Sequence, residues 1–110
     1  MRNYLGHFEE MVLLVVAILG DEAYGVAIKD ELEKQTEKKA SIGALHSALD
    51  RLERKGFLSS NMRGATELRG GRRKRYFQVT NLGKESLREA RKMREDLWDR
   101  LPPGYAFEYP

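Results

Sequence analysis

The densest chemistry in this chain lies between positions 51 and 76. Arg51, Arg54, Lys55, Arg63, Arg69, Arg72, Arg73, Lys74 and Arg75 fall there with only Glu53 and Glu67 against them, a local net charge of +7. The whole chain carries +3 at neutral pH, so the remaining residues are net acidic at −4. A cationic block inside an otherwise acidic chain is the footprint of a phosphate-binding face. A charge run is also often no more than a solvated surface, so the block has to be weighed with the elements that carry it.

Other reactive constellations are lacking. There is no cysteine, which excludes disulfides, thiolate metal sites and thiol nucleophiles. The two histidines, His7 and His46, are far apart in sequence, a poor start for a zinc site. No nucleophile stands beside a base, no carboxylates cluster, and no glycine-rich phosphate cradle follows a strand. The sequence therefore argues against an enzyme, a metal centre or a bound cofactor. The longest apolar run, Met11 to Leu19, is well short of the roughly 20 residues a spanning helix needs. Glu9 and Glu10 stand where a signal peptide would be basic. A cytoplasmic protein with no membrane partner is expected.

The elements that must position the basic block follow from periodicity. A chain of 110 residues with 41% hydrophobic and 34% charged residues suits one small soluble domain. Phe8–Leu19 reads as a helix that is apolar all round from Met11 onward, so both of its sides call for burial. Gly20 ends it. Asp21 to about Gln35 reads as a second helix, with Ile28 and Leu32 one turn apart. Ser41 can cap a third helix, on which Ile42, Leu45, Leu49 and Leu52 form a core stripe. Gly56 closes it, with Arg54 and Lys55 at its negative end. Phe57–Arg63 and Arg72–Val79 read as strands joined by a glycine-containing loop, Gly64–Gly71. Thr80 can cap a last helix, Asn81 to Leu101, stopped by Pro102-Pro103.

Three helices, a basic hairpin and a long helix make a mainly α (α+β) fold, a winged helix-turn-helix with a C-terminal dimerisation helix. The expected division is a DNA-binding unit over 1–80, the dimerisation helix over 81–101 and an aromatic tail over 102–110. Leu45, Leu49 and Leu52 point one way on the third helix, while Gly43, Ser47, Asp50, Arg51 and Arg54 point the other. Small residues at Gly43, Ala44 and Ser47 let this backbone approach a major groove. Ser41 and Ser47 can hydrogen-bond to bases or phosphates, and Arg51 can read guanine or hold a phosphate. His46 sits at the edge of this face. Arg63, Arg69, Arg72, Arg73, Lys74 and Arg75 arm the wing. Tyr76 is either a phosphate donor or a half-buried packing residue.

On the last helix, Leu87, Ala90, Met93, Leu97, Trp98 and Leu101 share one arc. This arc either folds back on its own domain or pairs with a second copy, with Met11, Leu14 and Val15 of the first helix contributing. Pairing would set two recognition helices about one DNA turn apart, roughly 34 Å, and so call for a pseudo-palindromic operator. Trp98 is either an interface anchor or the floor of a pocket for a small aromatic effector.

These residues resemble the PadR family of bacterial transcriptional regulators, in its short form. The likeness runs from about Phe8 to Leu101. It rests on Ala23-Tyr24-Gly25-Val26-Ala27-Ile28, on Ser41-Ile42-Gly43-Ala44-Leu45-His46 with Leu49, Leu52-Glu53 and Gly56, and on Gly71-Arg72 with Tyr76, Val79-Thr80, Gly83 and Leu87. The resemblance implies a homodimer, a recognition helix at Ser41–Lys55, a DNA-contacting wing and, mostly, repression, in some members relieved by phenolic or drug-like molecules. His46 stands where the family usually has Tyr, and Arg73 where a Pro often follows the wing Gly-Arg. The competing expectation is a winged-helix module for protein–protein contact without sequence-specific DNA binding.

Overall fold

The computed structural model describes residues 5–63 and 73–105. The elements run in the order α1 (His7–Leu19), a single 3-10 turn (Gly20–Glu22), α2 (Gly25–Thr36), α3 (Ile42–Arg54), β1 (Leu58–Arg63), β2 (Lys74–Val79) and α4 (Asn81–Asp99). Val12, Leu13 and Val16 of α1, Ile28 and Leu32 of α2, and Leu45, Ala48, Leu49 and Leu52 of α3 interlock in one core. Phe57, Leu58 and Phe77 close it from the hairpin side. Among the described residues no helix is long and apolar enough to cross a membrane.

Tertiary pairing moves the start of α2. Asp21 and Glu22 were expected to open this helix, but they lie in the 3-10 turn and α2 begins at Gly25. The backbone between is held extended by the hairpin: Ala23 C=O accepts from Phe77 N–H at 2.8 Å, and Tyr24 bridges to Tyr76. The other end of the chain shows a smaller shift. α4 stops at Asp99 rather than Leu101, because the residue before Pro102 is sterically pushed out of the helical region.

The stripe on α3 is buried as expected at Leu45, Leu49 and Leu52 but not at its first member. Leu45, Ala48, Leu49 and Leu52 are buried, whereas Ile42 is 49% exposed. Residues 41–44 are all exposed, so the first turn of α3 stands clear of the core. Ser41 Oγ accepts from Ala44 N–H at 3.2 Å, the expected cap. At the far end Gly56 takes φ +81°, its N–H bonds to Glu53 C=O and Phe57 N–H bonds to Leu52 C=O. This double closure is the Schellman ending, which needs a left-handed residue and so favours glycine.

β1 and β2 pair antiparallel from Leu58↔Val79 to Arg63↔Lys74. Strand assignment begins one residue later than expected at Phe57, which instead is buried in the turn. Thr80 caps α4 by accepting from Gly83 N–H at 3.0 Å, and its hydroxyl donates to Gly56 C=O at 2.6 Å. The helix is thereby seated on the α3–β1 turn.

Candidate nucleic-acid interface

One acid on α1 and one on α2 set the orientation of α3. Glu9, although buried, accepts from Lys55 Nζ at 3.0 Å and from Arg51 Nε at 3.2 Å. Burial alone would raise its pKa. The hydrogen bond from Gly6 N–H, with those from Lys55 and Arg51 and the charge of Lys55, outweighs that and holds the carboxyl below 4.5. Glu33 clamps the α2–α3 turn, accepting from Ala40 N–H at 2.8 Å and Lys29 Nζ at 3.3 Å. The Ala40 bond is the main reason its carboxyl also lies below the usual range.

Arg51 therefore points its Nε toward α1, while its side chain stays 48% exposed. The exposed side of α3 carries Gly43, Ala44, His46, Ser47, Asp50, Arg51 and Arg54. Gly43 has no packing reason to be glycine, since a Cβ there would meet only Ser41 Oγ, at 3.8 Å.

The base of the wing is a ladder of cations and rings. Arg63 lies 3.9 Å from the centroid of Tyr76, Tyr76 is 5.4 Å from Tyr24, and Lys74 Nζ is 4.2 Å from the Tyr24 ring. Such contacts fix cations without neutralising them. Arg63 also donates to Asp21 C=O at 3.3 Å. Tyr76 is half-buried between Arg63 and Tyr24. Arg75 donates to Glu53 at 2.8 Å and to Ser60 Oγ at 2.9 Å, tying β2 to α3. Arg73 is exposed just before β2. Arg69 and Arg72 lie outside the described residues.

α3 and the hairpin are the two walls of one cleft of about 390 Å³. Ile42, His46, Leu49 and Asp50 line it from α3. Lys74, Arg75 and Phe77 line it from β2, and Tyr24, Gly25 and Val26 from the start of α2. Tyr24, Gly25 and Val26 were not singled out from the sequence as site residues. Tyr24 beside the glycine at the head of α2 was the available signal, but only the isolated bridge to Tyr76 brings it to the wing.

The residues expected at a dimer seam divide. Val15 is buried in the core of the domain, and Met11 and Leu87 pack partly against that core. Ala90 is half-buried. Leu14, Met93, Leu97, Trp98 and Leu101 are exposed, as is Ile18, with Trp98 at 60%. Glu10, which is buried, receives an ion pair from Arg94, fastening the middle of α4 to α1.

A three-helix unit, an antiparallel hairpin beside its third helix and a long trailing helix define a winged helix-turn-helix protein. The model of the transcriptional regulator PadR-like family matches residues 13–89, and the chain belongs to that family of transcriptional regulators. It is 32% identical over 86 residues to an uncharacterised protein of Lysinibacillus sphaericus, across 76% of this chain and 74% of that one. It is similar to a crystal structure of a PadR family transcriptional regulator from Eggerthella lenta, with 29% identity and a TM-score of 0.64 over 81% of this chain and 75% of that one. A PadR family regulator from Clostridium difficile is 26% identical, with a TM-score of 0.62 over 81% and 91% of the two chains.

Proposed function

We propose that the chain is a homodimeric, sequence-specific DNA-binding repressor. α3 enters the major groove, with Ser41, Gly43, Ala44, His46, Ser47 and Arg54 toward the duplex. The wing follows the adjacent backbone through Arg63, Arg73, Lys74 and Arg75, joined by Arg69 and Arg72. The observation that carries this reading is the shared cleft, because the flank of α3 and the cationic strand β2 line the same concavity. A groove-reading helix and a phosphate-holding wing must present one surface to engage one duplex.

Dimerisation is supported by the apolar residues left exposed on α4 and α1: Met93, Leu97, Trp98 and Leu101 with Leu14 and Ile18. Pairing there would repeat α3 about one helical turn away, roughly 34 Å, and match a pseudo-palindromic operator. A small aromatic molecule stacked on Trp98 at that seam would change the spacing and release DNA. Residues 1–80 then form the DNA-binding unit and 81–101 the dimerisation helix, with an aromatic tail over 102–110.

The test is fluorescence anisotropy of the purified chain against duplexes from upstream of its own gene and against scrambled duplexes. Specific binding should exceed random binding by a factor on the order of 10³ or more at physiological salt. Equal affinity for every duplex would overturn the reading and favour a protein-binding winged helix.

A further inference from the structure

The first turn of α3 presents almost no hydrogen-bonding side chain. Ile42, Gly43 and Ala44 are exposed there, and the cap hydroxyl of Ser41 already accepts from Ala44 N–H. Ile42 is the largest side chain of that turn and is 49% exposed. Val26, 59% exposed at the head of α2, lines the same cleft. This patch is separate from the exposed apolar residues Leu14, Ile18, Met93, Leu97 and Trp98, which lie on α1 and α4. Two cations of the hairpin border it, Lys74 and Arg75, the latter paired with Glu53, and Asp50 of α3 is the one acid of the lining. A partner that satisfies both must offer phosphates with an apolar group between them. In the major groove the base edges are polar except for the C5 methyl of thymine, and apolar side chains are what read it.

We infer that Ile42 is a specificity-determining residue that recognises a thymine methyl in the major groove, with Val26 shielding the contact. This deepens the DNA-binding reading and rests on it. The small neighbours Gly43 and Ala44 let the backbone come close enough for Ile42 to reach the methyl, while the hairpin cations hold the phosphates beside it.

The test begins with selection of a binding site from random duplexes by the full chain. Each thymine of the enriched site is then replaced by deoxyuridine, which pairs identically and lacks only the methyl. One or two thymines per half-site should lose about three- to fivefold in affinity, the worth of one buried carbon. Ile42→Ala should bind the thymine and deoxyuridine duplexes equally at those positions while keeping its thermal melt. An enriched site with no thymine sensitive to the replacement would overturn the inference and leave the DNA-binding reading standing. So would a methyl effect undiminished in Ile42→Ala, or one abolished only by Val26→Ala. Failure to enrich any duplex would overturn both.

Discussion

Gly83 lies so close to the carbonyl of Phe57 that a Cβ on it would stand 2.3 Å from the oxygen. That approach seats α4 on the turn ending α3, next to the Thr80 cap. It fixes the angle at which the trailing helix leaves the winged domain, and hence where the exposed face of α4 lies. Gly83→Ala should destabilise by about 1–3 kcal/mol or more, because the obstacle is backbone and cannot rotate away. Chemical denaturation would read the loss, and an unchanged midpoint would contradict the packing described.

Gly43 is the opposite case. A Cβ there meets nothing closer than 3.8 Å, and alanine is the better helix former by up to about 1 kcal/mol. Gly43→Ala should keep or raise the melting temperature. Gly43→Leu should remain folded yet lose DNA affinity, since it holds the α3 backbone away from the groove. Parallel melting and anisotropy titrations would separate the two effects.

Glu9 makes stability depend on acidity. Its carboxyl is held below 4.5 in the folded chain. A group depressed in this way contributes stability that is present above its unfolded value and lost as pH falls through the lower folded one. Urea midpoints should therefore drop as the pH is taken below 4.5. In Glu9→Gln that dependence should be shallower, and stability at neutral pH lower by about 1–3 kcal/mol, because Arg51 and Lys55 lose their carboxylate.

Arg54 and Arg73, both exposed, test the electrostatic half of the interface. Each phosphate contact contributes about 0.9 to the slope of log affinity against log salt. The double change Arg54→Ala with Arg73→Ala should weaken specific and random duplexes alike and flatten that slope by up to about two for each chain bound, or about 3.6 for a dimer. Titrations at several salt concentrations would check it, and an unaltered slope would remove both residues from the contact set.

Leu97 tests the proposed seam. It is exposed on α4 beside Trp98. Leu97→Asp would place a charge in an apolar interface and should convert the dimer to monomer in sedimentation experiments while sparing the fold. Operator affinity should fall with it, because each half-site would then bind alone.

Local signals determined much of this molecule. Ser41 and Thr80 are caps, Gly56 is a helix stop and Leu45, Leu49 and Leu52 are core, because capping, left-handed glycine and 3.6-residue spacing act over a few residues. The clustering of cations about the hairpin was equally plain, as was the winged helix-turn-helix order. Which cations are tethered to acids was decided only in three dimensions. Arg51 turns to Glu9 across 42 positions and Arg75 to Glu53 across 22, and no local rule pairs charges so far apart. Tertiary contacts also delayed α2 to Gly25, since the hairpin's hydrogen bond to Ala23 overrides the local helical preference of Asp21 and Glu22. They set Ile42 outside a stripe whose periodicity it shares, because periodicity names a helix face whereas burial depends on how far the neighbouring elements reach along it.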